Sequence, residues 1–204
     1  MCLQALEIAL SGTPVRIGLG RVNDCLFANV ASIGLGPKVA ERLSGEIKRR
    51  LGVLGYPRAL LSAYRDTRPF RCHIILDDDA EYHLRVIHVA VGNGRFYGGG
   101  AVVFEGAAVD DNRLDLYTLL PMPLWRLIQI GPWVKDGQHR ELEEVRSLHG
   151  RKIQVWTSRR LPVSADGEIL THTPATFEVV PRALSVIVPS AVDTSGLTQS
   201  PTQG

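Results

Sequence analysis

Residues 89–116, VAVGNGRFYGGGAVVFEGAAVDDNRLDL, constrain this chain more than any other stretch. An apolar run from His88 to Val91 ends at Gly92-Asn93-Gly94. An aromatic pair, three consecutive glycines, a second apolar run, an acidic turn and another strand follow. Glycines packed this densely between apolar runs require backbone in left-handed turns, or backbone passing too close to its neighbours for a Cβ. Gly92-x-Gly94 also invites comparison with a nucleotide-binding fingerprint. The third glycine position is Tyr97, however, and no helix opening with Ser, Thr or Lys follows, so the stretch is not a phosphate loop.

The chain of 204 residues suits one domain, or two small ones, with a sizeable core. Its 23 Lys and Arg against 21 Asp and Glu give a net charge of +2, too balanced for a nucleic-acid binder. Cys2, Cys25 and Cys72 are odd in number and lack C-x-x-C spacing, which predicts buried thiols in a reducing compartment. No apolar run approaches eighteen residues, and Met1-Cys2-Leu3-Gln4 lacks a basic start, so neither a membrane span nor a signal peptide is expected. A cytoplasmic location is the default expectation.

Met1–Leu10 reads as a helix with Leu3, Leu6 and Leu10 on one side, closed by Ser11-Gly12-Thr13-Pro14. Val15–Gly20 and Cys25–Ile33 read as strands joined in a hairpin at residues 21–24. Pro37 opens a helix whose buried face carries Val39, Leu43, Ile47, Leu51 and Leu54. Lys48, Arg49 and Arg50 near its middle read as a solvated face, with weak attraction to anionic headgroups as the alternative. Phe70–Leu76 and Tyr82–Val91 flank Asp77-Asp78-Asp79-Ala80-Glu81, an acidic hairpin loop whose aspartates are expected to face water. Strands are expected at 102–104, 114–120, 145–148, 152–157, 161–165, 176–180 and 184–188, with a short helix at 124–130. The Ser/Thr/Gln/Gly-rich tail, 190–204, is expected to be disordered. Many short strands with few helices predict a mainly β (α+β) fold, an antiparallel β-sandwich with appended helices.

Three segments carry a family resemblance. Asn93-Gly94-Arg95-Phe96-Tyr97-Gly98-Gly99-Gly100, followed by Ala108-Val109-Asp110-Asp111-Asn112-Arg113-Leu114-Asp115-Leu116, resembles the C-terminal domain of diacylglycerol-kinase-type lipid kinases. That family includes YegS-like and sphingosine kinases, and its pattern is NGR-(Y/F)-x-GGG, then A-x-x-D-D-G-x-L-D. Asn112 replaces the usual glycine, a mild departure because Asn tolerates the left-handed region. Phe27–Gly36 and Val163–Glu168 match two weaker marks in the same order, so the resemblance covers roughly residues 1–189.

The resemblance implies ATP-dependent phosphoryl transfer to a lipid hydroxyl, which requires a base, metal ions and an ATP cradle. Glu168, in Asp166-Gly167-Glu168, matches the family's proton acceptor. On its own this turn reads as an ordinary Asp-Gly hairpin with an exposed glutamate, and Asp166 is expected to shape the turn. By the same resemblance, residues 108–113 hold a structural Mg2+ through the Asp111 carboxylate and the carbonyls of Ala108 and Arg113. Hard cations take such oxygen donors, although Asp-Asp-Asn is also common turn chemistry. Arg95 is expected to meet a phosphate or headgroup, or to form a surface ion pair. The six histidines show no H-x3-H or H-E-x-x-H spacing, so neither zinc nor histidine catalysis is expected.

The family's nucleotide half carries GGDGT and a later G-N-D-(F/L)-A motif, and neither occurs in these residues. The expected organisation is therefore a helical remnant at 1–14 linking to a missing N-terminal nucleotide-binding domain, the sandwich at 15–189, and the tail. The expected partners are that domain, a lipid substrate, a peripheral membrane surface and, through the exposed cleft-facing side, a second copy of the chain. The chain by itself is expected to be inactive. The alternatives are a non-catalytic β-sandwich binding module and an NAD-kinase-like enzyme acting on a soluble substrate, against which the NGRxxGGG run argues.

Overall fold

In the computed structural model the described residues are 2–42, 55–93, 96–97, 101–102, 113–135 and 142–189. Helix α1 (Cys2–Ser11) leads into β1 (Thr13–Val22), which turns at Asn23-Asp24 into β2 (Cys25–Phe27). Asn23 takes the left-handed conformation this turn needs, at φ 50°. The chain then leaves that sheet. The apolar run expected as one strand, Cys25–Ile33, breaks at Ala28-Asn29, and β3 (Val30–Gly34) belongs to a second sheet.

Next come α2 (Leu35–Arg42) and α3 (Gly55–Asp66), a helix that periodicity did not predict. Of the helical face expected beyond Pro37, Val39 is buried on α2. Leu43, Ile47, Leu51 and Leu54 lie outside the described residues, as do Lys48, Arg49 and Arg50. The Arg42 guanidinium pairs with the Asp66 carboxylate and the Lys38 ammonium donates to the Asp66 carbonyl, tying α2 to the end of α3.

β4 (Phe70–Leu76) and β5 (Ala80–Val86) form the hairpin expected around the three aspartates. Its tip does not simply face water. The Asp77 carboxylate accepts the backbone N–H groups of Arg151 and Lys152, both at 2.8 Å, and Asp78 takes the Lys152 ammonium at 2.9 Å. The second run expected as one strand, 82–91, also divides: after Ile87 the chain crosses to β6 (His88–Gly92) in the other sheet. Short strands β7 (Phe96–Tyr97) and β8 (Ala101–Val102) pair with each other, and β9 (Leu114–Leu119) and α4 (Leu124–Lys135) follow.

The remaining strands are β10 (Val145–Gly150), β11 (Lys152–Thr157), β12 (Pro162–Ala165), β13 (Glu168–His172) and β14 (Ala175–Val188). β14 merges the two strands expected at 176–180 and 184–188. Its pairing with β1 slips between Leu19↔Val180 and Ile17↔Leu184. The extra residues hold Pro181, which has no N–H to give a ladder, and Arg182 at φ 53°.

The two six-stranded sheets run in the orders β2-β1-β14-β11-β4-β5 and β10-β9-β6-β3-β12-β13, antiparallel throughout. One core lies between them, with Phe27, Ile33, Ile74, Leu114, Leu116, Ile153 and Phe177 fully buried. A second lies between the β3-β6-β9 sheet and the helices and includes Val39, Ala63, Leu127 and Ile130. That sheet is covered on both faces, which explains why β3, β6 and β9 are buried at every position, the polar Ser32, Asp115 and Thr118 included. The architecture is the expected antiparallel β-sandwich, with α2, α3 and α4 layered on one side and α1 against β14 of the other sheet. Of the cysteines whose surroundings are described, Cys72 is buried, which pushes its thiol up to about 12, whereas Cys25 is only half-buried. No helix among the described residues is long and apolar enough to cross a membrane.

Candidate functional site

The register of the second sheet brings the family-like segments to one end of it. Val30, Gly92, Asp115 and His149 form a row across β3, β6, β9 and β10, and Ala165 of β12 pairs with Ala31, one residue further in. At this end the chain enters β3 and β9, leaves β6 and turns from β12 into β13. Segments more than a hundred residues apart in sequence therefore share one edge of the fold.

Asp166 and Gly167 make the two-residue turn between β12 and β13, at φ 50° and 96°. Positive φ at both central positions is the type I′ geometry that Asp-Gly favours and that matches strand twist. The Asp166 side chain also does more than shape its own turn. Its Oδ2 accepts the Ala28 N–H at 2.6 Å, and its Oδ1 accepts the N–H groups of Asn29 and Val30 at 3.0 and 3.2 Å. The Asp166 N–H donates to the Val30 carbonyl at 3.0 Å. The crossing between the two sheets at residues 28–30 is thus pinned by the hairpin that carries Glu168.

Asn93 grips the same crossing from the other side. Its backbone N–H donates to the Asn29 carbonyl at 2.8 Å, and its buried side-chain amide donates to the carbonyls of Gly18 and Ala28 at 3.1 and 3.2 Å. A further link in the sheet interior joins the hydroxyls of Ser32 and Ser164, 3.1 Å apart. The Asn of the NGR run and the Asp of the DGE turn therefore clasp one loop, that of the Phe27–Gly36 segment. Matching motifs placed these residues in one family pattern. Only long-range pairing shows that they act on the same peptide groups.

Glu168 opens β13 opposite Ala165, with its side chain exposed and, among the described residues, without a charged partner. Of the two carboxylates in the turn, Asp166 is held by three backbone donors and Glu168 is left to reach outward. Arg113 stands half-buried one residue ahead of β9, at the same end of the sheet. Ala108, Asp111 and Arg95 lie outside the described residues.

A two-sheet antiparallel sandwich, with α2, α3 and α4 on one face and an Asp-Gly turn locked to a strand-entry loop, defines a β-sandwich-type domain. Residues 29–188 match the family described as the YegS C-terminal NAD kinase beta sandwich-like domain, and the chain belongs to that family. It is 29% identical over 190 residues to a protein of Mycobacterium tuberculosis named diacylglycerol kinase, covering 91% of this chain and 61% of that one. It is 32% identical over 187 residues to a Pseudomonas aeruginosa protein named "Probable lipid kinase YegS-like", again covering 91% and 61%. The crystal structure of "a putative diacylglycerol kinase from Bacillus anthracis str. Sterne" superposes with a TM-score of 0.71 at 24% identity, over 93% of this chain and 62% of that one, a likeness of fold. The chain spans about three fifths of the length of the relatives it matches.

Proposed function

We propose that this domain is the lipid-facing part of an ATP-dependent lipid kinase, with Glu168 as proton acceptor for the lipid hydroxyl. The observation that carries the reading is the division of labour in the turn: three N–H groups hold Asp166, and Glu168 stands exposed on a two-residue hairpin where the family-like segments meet. A carboxylate on so short and well-anchored a support keeps its position, as a general base must. In the step, the substrate O–H proton passes to the Glu168 carboxylate as the oxygen bonds to the γ-phosphorus. The bond from that phosphorus to the ADP oxygen breaks. Positioning of ATP falls to a nucleotide-binding domain of the kind the longer relatives have room for, and the sandwich alone is inactive in this reading.

Mg2+ belongs to the same reading. The Asp111 carboxylate and the Ala108 and Arg113 carbonyls are an all-oxygen donor set of the sort Mg2+ takes. Arg95, two residues after Asn93 in sequence, is the candidate contact for phosphate or headgroup. Trp125 and Ile128, 67% and 59% exposed on α4, are the side chains suited to rest on a lipid surface during access to the substrate. Trp125→Ser with Ile128→Ser should then weaken co-sedimentation with diacylglycerol-containing vesicles, and unchanged sedimentation would remove α4 from the membrane contact.

The deciding experiment joins this domain to an upstream nucleotide half and follows phosphate transfer from ATP to diacylglycerol and to sphingosine. Glu168→Gln should lower turnover about a hundredfold or more, the usual scale for a lost general base, with little change in lipid binding. Near-normal turnover in that variant would return Glu168 to the role of a hairpin residue. Absence of transfer to either lipid by the joined wild type would favour a non-catalytic binding module.

A further inference from the structure

The exposed face of the β4–β5 hairpin, at the edge of the first sheet, gathers three metal-ligating side chains that the kinase reading does not use. Antiparallel register sets His73 directly opposite His83, and Glu81, two residues before His83, shares its face of β5. The two imidazoles stack with centroids 4.2 Å apart and planes 9° from parallel. His73 Nε2 lies 3.0 Å from Glu81 Oε2, and His83 Nε2 lies 3.9 Å from the same oxygen. One ligand atom from each residue falls within 4.8 Å of the other two. Trp156 of β11, opposite His73, walls the group on the inner side, with its ring centroid 5.6 Å from that of His73.

We propose that His73, Glu81 and His83 bind a borderline divalent transition-metal ion, with Zn2+ as the representative, through two imidazole nitrogens and one carboxylate oxygen, water completing the shell. Zinc–nitrogen and zinc–oxygen bonds of about 2.0–2.2 Å place tetrahedral ligands about 3.4 Å from one another. The 3.0 and 3.9 Å separations bracket that value. Bringing both in-plane Nε2 lone pairs onto one centre requires the rings to leave their stacked arrangement by a side-chain rotation, which the exposed His83 is free to make. In the metal-free protein a His73–Glu81 hydrogen bond occupies the place of the ion. The imidazole pair selects zinc, nickel or copper over the hard Mg2+ of the kinase reaction.

Arg71 and Arg85 face each other one pair further along the same side of the hairpin and oppose a cation through space. Two residues of strand set them about 7 Å from the ligands, within the screening length of about 10 Å at 0.1 M, so they weaken binding and the site depends on its coordination bonds. The hairpin is at the sheet's edge, where, among the described residues, β5 has β4 as its sole strand neighbour. An ion bridging β4 and β5 would therefore fasten the outermost strand.

The test titrates the full 204-residue chain with Zn2+ alone by calorimetry, and with Co2+ while following its visible ligand-field bands. The expected result is saturable one-to-one binding and tetrahedral-type Co2+ absorption, with a melting temperature raised by about 5 °C or more when zinc stands a hundredfold above its Kd. Affinity should fall at least tenfold in Glu81→Gln and in His83→Asn, and vanish with the Co2+ bands in the His73→Asn/His83→Asn double variant. His83 is 74% exposed, so its replacement leaves the fold intact. Millimolar Mg2+ should not displace the zinc. Unchanged zinc affinity in the double variant, displacement by Mg2+, or no saturable binding by the wild type would each overturn the proposal.

Discussion

Asp166 and Asn29 are 137 residues apart in sequence, yet the Asp166 carboxylate accepts the Asn29 backbone N–H at 3.0 Å, together with its neighbours on either side. The loop by which the chain passes from one sheet to the other is thus held by the turn that presents Glu168. Two acidic residues separated by one glycine carry opposite duties, one toward the backbone and one toward solvent.

That division predicts opposite outcomes for two substitutions in the same turn. Asp166→Ala strips three N–H groups of their acceptor and should cost about 1–3 kcal/mol of stability. Glu168→Gln should change stability by less than about 0.5 kcal/mol, as surface replacements usually do. Urea unfolding of the two variants checks both. Equal stability losses would contradict the assignment of Asp166 as the anchor.

His88 makes the fold acid-sensitive. Its ring is buried edge-on to Tyr117, with Nδ1 3.2 Å from both the Ile33 carbonyl and the Gly36 N–H. Nδ1 serves one of these at a time, as donor to the carbonyl or as acceptor from the N–H. Burial lowers its pKa from 6.5 to about 4, with the Ile33 carbonyl opposing the shift. The unfolded chain therefore binds the proton more readily between those values. This contribution to stability is fully present above pH 6.5 and falls as pH drops toward 4, by up to about 3 kcal/mol over the 2.5 units at about 1.4 kcal/mol each. Urea midpoints at pH 7 and pH 5 should show the fall, and His88→Gln should flatten it.

Gly20 lies under the ring of Phe27, its partner across β1 and β2. A Cβ there would stand 2.2 Å from the Phe27 Cζ, and the ring, 2% exposed in the core, has no open side to move into. Gly20→Val should destabilise by about 1–3 kcal/mol or more through overpacking. A thermal midpoint equal to the wild type would mean that the core yields here.

The structural Mg2+ reading is tested apart from catalysis. Millimolar Mg2+ should raise the melting temperature of the wild type, by mass action on the native state, and EDTA should reverse the rise. Asp111→Ala should abolish the response. A wild-type midpoint indifferent to both additives would count against the donor set at residues 108–113.

The amino-acid sequence by itself determined the fold class, the family-like segments and the local turns. Asp-Gly at 166–167 and the acidic tip at 77–79 are hairpin signals because backbone preference is set by the residue and its immediate neighbours. The acidic loop expected over residues 77–81 would pair Leu76 with Tyr82 and set His73 opposite Arg85, whereas the observed three-residue tip pairs Leu76 with Ala80 and His73 with His83. Helix-type and loop-type histidine spacings do not show such a pair, since its members meet only across a hairpin. Tertiary structure alone decided where continuous apolar runs are cut. Cys25–Ile33 and 82–91 read as single strands, yet each is divided between two sheets at Ala28-Asn29 and at Ile87. Periodicity reports only which side of a strand is apolar. Which sheet a strand joins depends on partners a hundred residues away, and β3 and β6, covered on both faces, leave no alternation to read. For the same reason Asp166 could be read locally as a turn residue, while its grip on residues 28–30 exists only once β3 and β12 have paired.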